Sequence, residues 1–91
     1  MTYVYLMDNK KALSLDIVEK HVQYLKKLDD SGNLILCGPF TDYEGGMVIL
    51  ECESKEEAKA IAESDPFIEG GYKTYEIRTL SIANRDNNYG L

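Results

Sequence analysis

The hydrophobic pattern changes period several times along the chain, and each change marks an element. Tyr3-Val4-Tyr5-Leu6-Met7 is an unbroken aromatic and aliphatic run with no turn residue inside it, which predicts a strand buried on both faces. The next apolar positions recur at helical spacing. Ser14 is a good N-cap, Asp16 and Glu19 fall in the first turns, Lys26 and Lys27 come near the end and Gly32 follows, so a helix is expected over about residues 15 to 31.

Leu34 to Cys37 and Met47 to Cys52 are two short apolar runs joined by Gly38-Pro39-Phe40-Thr41-Asp42-Tyr43-Glu44-Gly45-Gly46, the pattern of a hairpin with a long connection. A capping box, Ser54-Lys55-Glu56-Glu57, opens a second helix with Ala58, Ile61 and Ala62 on its apolar side. That helix must stop near Ser64, because Pro66 disfavours helical geometry at Asp65. Tyr72 to Leu80 alternates as a last strand, with Tyr75, Ile77 and Thr79 on one side. The order βαββαβ predicts an α+β, ferredoxin-like fold over residues 1–80: a four-stranded antiparallel sheet with both helices on one face. Residues 81–91 form a polar C-terminal tail, either an arm that crosses to a partner or a frayed end.

With 91 residues the chain has room for one domain, and a domain this small has a marginal core unless something supplements it. Folding the hairpin symmetrically places Cys52 opposite about residue 33, roughly 13 Å along the strand from Cys37. A disulfide needs Cα atoms within about 7 Å, so both thiols are expected to be free. Strands one and three carry apolar side chains on both faces while two helices cover only one, so the uncovered face is expected to pack against a second copy. On this reading Tyr5→Asp weakens a homodimer more than Lys26→Asp does.

Composition narrows the partners. Sixteen Asp and Glu against ten Lys and Arg give a formal charge of -6, with no basic cluster, so neither nucleic acid nor an anionic membrane is an expected partner. The chain shows no membrane-length apolar run and no signal-peptide pattern, which points to the cytoplasm. No metal-ligand spacing, phosphate loop or dinucleotide fingerprint is present, so neither a metal nor a cofactor is expected.

Two side chains carry the candidate chemistry. Measured from Ile17 at ~100° per residue, the sole histidine, His21, falls at about 40°, between Leu28 at about 20° and Leu25 at about 80°. It is either a core histidine bonded to a carbonyl or an acid/base in a pocket between helix and sheet. Asp65, in Asp65-Pro66-Phe67, is either a turn residue bonding nearby amides or a carboxylate that orients the imidazole, since both helices lie on one sheet face. Gly38, Pro39 and Phe40, with Thr41 to Gly46 as the flexible portion, form a pocket rim or an economical turn, and Phe67 packs against whatever lies beneath. The tyrosines of the first and last strands read as core and interface, although one could donate to a substrate oxygen.

The succession His21-Val22-Gln23-Tyr24-Leu25, Gly32-Asn33-Leu34, Gly38-Pro39-Phe40, Ser54-Lys55-Glu56-Glu57-Ala58 and Asp65-Pro66-Phe67 resembles the YCII-related (YciI-like) family over residues 3 to about 80. The resemblance implies a dimeric α+β barrel of the muconolactone-isomerase-related type. It also implies a His-Asp pair in a cleft, falling here on His21 and Asp65. One related branch includes a dehydrochlorinase acting on a chlorinated hydroxyquinol. Many members carry Arg three residues before the histidine, where this chain has Val18. The expected activity is cofactor-free isomerisation or elimination on a small cyclic or aromatic metabolite. The alternatives are a non-catalytic ligand-binding or interaction module, and a cofactor-independent monooxygenase of similar fold.

Overall fold

The computed structural model describes residues 1–91 as β1 (Thr2–Asn9), α1 (Leu15–Asp30), β2 (Leu34–Pro39), β3 (Gly45–Glu51), α2 (Lys55–Glu63), α3 (Pro66–Glu69) and β4 (Lys73–Leu80). The four strands form one antiparallel sheet in the order β2-β3-β1-β4, the ferredoxin-like arrangement. A short 3₁₀ turn over Arg85–Gly90 stands beyond it, exposed along its length.

The helix boundaries follow from local chemistry. The Ser14 hydroxyl accepts from the Ile17 amide at 3.3 Å, and Gly32, at φ +82°, turns the chain out of α1. At α2 the Ser54 hydroxyl accepts from the Glu57 amide at 3.1 Å. The reciprocal half of the expected capping box is displaced by one residue, because Glu57 accepts from the Glu53 amide instead of that of Ser54.

The sequence pattern gave no sign of α3. Pro66 ends α2 as expected, yet its fixed φ and missing N–H also suit the first position of a helix, so the chain restarts within a residue of stopping. Asp65 is its N-cap.

One face of the sheet carries the core. Tyr3, Tyr5 and Met7 on β1 alternate inward with Val48 and Leu50 on β3, against Ile17 and Leu28 of α1 and Ala58 and Ala62 of α2. This corrects the expectation for β1. It is buried on one face only, and Tyr5, with no exposed surface, lies beneath the helices and away from any partner surface. The outward positions are Val4 and Leu6, with Val4 paired to Ile49 and Ile49 to Leu36. Leu36 and Leu6 are exposed, so an apolar row crosses the open face of the sheet.

The hairpin connection is also shorter than expected, because Gly38 and Pro39 extend β2 and Gly45 and Gly46 extend β3. The strands approach closely there: a Cβ on Gly46 would lie 2.8 Å from the Gly38 carbonyl oxygen. Cys52 lies just beyond β3, where the Glu51 amide bonds the Asn33 carbonyl, and both thiols are free.

Candidate active site

α1 carries His21 to the same place as the N-cap of α3. The His21 Nδ1 and Asp65 Oδ1 are 2.8 Å apart, with the imidazole side chain 11% exposed and the carboxylate fully buried. Asp65 accepts two further hydrogen bonds, from the Phe67 amide to Oδ1 at 3.0 Å and from the Tyr5 hydroxyl to Oδ2 at 2.8 Å. Three polar groups face this buried carboxylate in place of the water that burial removes. Asp65 thus bonds a nearby amide, as a turn residue does, and also faces the imidazole.

An ionised carboxylate can only accept, so Nδ1 must be the protonated nitrogen of the ring. Nε2 is left as the free one. It has no partner in the protein, and every buried side-chain polar atom has one, so Nε2 is open to solvent. The ring plane is fixed by Phe67, stacked on it at 3.9 Å between centroids and 15° between planes.

His21 and Phe67 line a cavity of about 430 Å³ between α1 and the sheet. Val18, Val22 and Leu25 form its helical side, with Leu13 from the segment before α1 and Met7 and Val48 from the sheet. Gly38, Pro39 and Gly46 line it as well. Phe40 does not reach it. Pro39 is the last residue of β2, so Phe40 turns into the exposed loop and meets Tyr43 edge-on at 6.3 Å. A broader groove between α1 and α3, lined by Asp16, Lys20 and Glu69 among others, contains neither His21 nor Asp65.

The surrounding groups titrate in ways that follow from burial. Burial, and then the negative charge of Asp65, push the Tyr5 hydroxyl well above the usual phenol range, so it stays a donor. Tyr24, which ties α1 to α2 by donating to the Ile61 carbonyl at 2.6 Å, is raised for the same two reasons. Lys73, with its ammonium 4.5 Å from the Phe67 ring centroid, is held below the usual lysine range by burial, with Asp65 opposing. Burial raises the thiol of Cys37, which lines the cavity.

Tyr5 is the residue of this site that the sequence reading misplaced. The available signal was the alternation of β1, which sets Tyr3, Tyr5 and Met7 on one face. Val4 and Leu6 are equally apolar, so alternation could not say which face met the helices.

Comparison with known proteins follows this geometry. Residues 1–81 match the family model described as the YCII-related domain. The chain is 31% identical over 81 residues to the protein YjpA of Bacillus subtilis (strain 168), covering 89% of this chain and 95% of that one. It is 33% identical over 84 residues to the protein YciI of Escherichia coli, covering 78% and 86%. Two solved structures share the fold. The first is 5-chloro-2-hydroxyhydroquinone dehydrochlorinase (TftG) from Burkholderia phenoliruptrix AC1100 in complex with 2,5-dihydroxybenzoquinone (TM-score 0.71, 18% identity, 97% of this chain and 100% of that one). The second is muconolactone isomerase (TM-score 0.75, 12% identity, 93% of each).

Proposed function

The chain belongs to the YCII-related domain family, and from that membership and the geometry of His21 we propose that it is a homodimeric acid/base enzyme acting on a small cyclic or aromatic metabolite. One observation carries the reading: Nδ1 is held by a buried carboxylate while Nε2 is free, on a ring that lines an apolar cavity. In this mechanism Nε2 takes a proton from a substrate carbon or oxygen, and Asp65 stabilises the resulting imidazolium. In an isomerisation the same proton is returned to another substrate atom. In an elimination such as dehydrochlorination, chloride departs with the carbon–chlorine electron pair and the imidazolium releases its proton to water, a net loss of HCl.

A second copy is proposed to cover the open face of the sheet, where Val4, Leu6, Leu36 and Ile49 are arrayed. Two free thiols suit a reducing compartment, which supports the cytoplasm as the place of action. The acting unit is residues 1–80, with 81–91 as an appended tail.

Chloride release from 5-chloro-2-hydroxyhydroquinone, and solvent deuterium exchange into enolisable cyclic ketones and lactones, test the reading. Asp65→Asn keeps an acceptor for the Phe67 amide and removes the charge, so it should slow turnover while preserving the fold. His21→Gln should lower turnover by about 10²- to 10⁴-fold. Turnover that survives His21→Gln overturns the assignment. Wild-type protein that binds these compounds and turns over none of them favours the second reading, a ligand-binding module, which the scarcity of polar groups in the cavity also fits.

A further inference from the structure

None of the thirteen residues lining the cavity is Asp, Glu, Lys or Arg. The Lys73 ammonium lies against the Phe67 ring and outside the lining. Apart from the weak Cys37 thiol, whose proton burial retains, the only side chain there able to make a strong hydrogen bond is His21. Its Nδ1 is already committed to Asp65, so Nε2 is the one side-chain nitrogen that an otherwise apolar lining leaves free.

From this arrangement we infer that the ligand is a neutral ring with a single acidic hydroxyl or enol and apolar substituents elsewhere. Carboxylated and phosphorylated rings are disfavoured by the same walls, and each further hydroxyl on a ring weakens its binding. A carboxylate placed there would lose its water and find no cation, and a second hydroxyl would find no partner. The protein's net charge of -6 adds a long-range penalty for anions. Size agrees: an apolar cavity of about 150 Å³ holds benzene, so 430 Å³ admits one substituted ring or two fused ones. The preferred ligand is therefore poorer in oxygen than the 2,5-dihydroxybenzoquinone bound by the dehydrochlorinase of similar fold.

This inference rests on the proposed function for the location of the site but not for its chemistry, because equilibrium binding does not depend on whether His21 moves a proton. The test is an NMR titration of methyl-labelled protein with 4-chlorophenol, hydroquinone and 4-hydroxybenzoate. 4-Chlorophenol should shift the methyls of Val18, Val22 and Leu25 and the His21 ring, with 4-hydroxybenzoate binding at least ~10-fold more weakly and hydroquinone between them. Val22→Lys, at an exposed position of the lining, should abolish the discrimination against 4-hydroxybenzoate. Equal or tighter binding of 4-hydroxybenzoate or hydroquinone to wild type, or no shift with 4-chlorophenol, overturns the inference. Turnover by wild type and His21→Gln is scored separately, so the failure of one reading leaves the other visible.

Discussion

Tyr5 and Asp65 are 60 residues apart in sequence, yet the phenol of one donates to the carboxylate of the other across 2.8 Å in the protein interior. The bond joins the central strand β1 to the start of α3. It leaves Oδ1 of Asp65 for the imidazole and the Phe67 amide, so the orientation of His21 depends on a tyrosine that does not touch the cavity.

Tyr5→Phe retains the ring and deletes that donor. Oδ2 then has no partner at a fully buried position, a loss worth about 1–3 kcal/mol. A urea titration should show the midpoint falling with an unchanged slope. Asp65 should also be less firmly held, seen as broadening of the His21 Nδ1 proton resonance. A variant as stable as wild type, with that resonance still sharp, would remove Tyr5 from the network.

Alkali should unfold the protein in a way that reports on the same tyrosine. Tyr3, Tyr5, Tyr24 and Tyr75 are all raised, Tyr75 to about 12 because it donates to Glu63. The folded state therefore keeps protons that the unfolded chain loses. The stability these groups contribute is complete below the unfolded tyrosine value of about 10, and it is lost as pH rises beyond it. Lys73, lowered by burial, acts with the opposite sign below its unfolded value and is outnumbered. Melting temperature should drop steeply above about pH 10, and Tyr5→Phe should flatten the drop. An equally steep fall in the variant would show that Tyr5 is not a main contributor.

Association should respond to the open face and not to Tyr5. Leu6→Asp places a carboxylate beside Glu76 and within the apolar row, and in sedimentation equilibrium it should weaken the dimer by at least ~10-fold. Lys26→Asp, on the exposed side of α1, should leave it unchanged. A wild-type protein that remains monomeric at micromolar concentration would refute the dimer altogether.

The thiols differ in access. Both are raised by burial, so neither should react quickly with a disulfide reagent at neutral pH, and the rates should climb as pH rises. Cys37 is half-buried at the cavity and Cys52 is buried, so Cys37 should react first. Saturating 4-chlorophenol should protect Cys37 alone. Equal protection of both would place the ligand elsewhere.

Gly46→Ala tests the closeness of β2 and β3. Its Cβ would meet the backbone of Gly38 at 2.8 Å and the Pro39 Cα at 3.1 Å, so the strands must part. Overpacking of this kind typically costs about 1–3 kcal/mol. Thermal melts should register it, together with weaker ligand binding, since Gly46 lies on the cavity rim.

The βαββαβ order was legible because its signals are local. Ser14 and Ser54 announce helices that begin one residue later, Gly32 ends the first, and the apolar period changes at each boundary. The approach of His21 and Asp65 could be expected once both helices were placed on one face. Features decided by distant partners were hidden. Four residues, Pro66–Glu69, are too few to show a helical period, and Pro66 reads as a stop signal whether or not a helix follows. The side of β1 that meets the helices depends on packing, because Val4 and Leu6 look as apolar as Tyr5. Phe40 appeared to belong to the rim, but β2 runs on through Pro39 and carries the pocket edge away from it.

Oδ1 of Asp65 accepts from both the Phe67 amide and the imidazole, which makes position 65 an uneven crossroads for mutation. Asn can still start α3 but brings no charge. Glu brings the charge on a side chain one carbon too long to cap the helix in the same way. A lineage can therefore lose the proposed chemistry in one step while keeping its shape, whereas exchanging one acid for the other disturbs the backbone at once. On the proposed mechanism, descendants that have abandoned catalysis should be recognisable by Asn at this position above an otherwise intact fold.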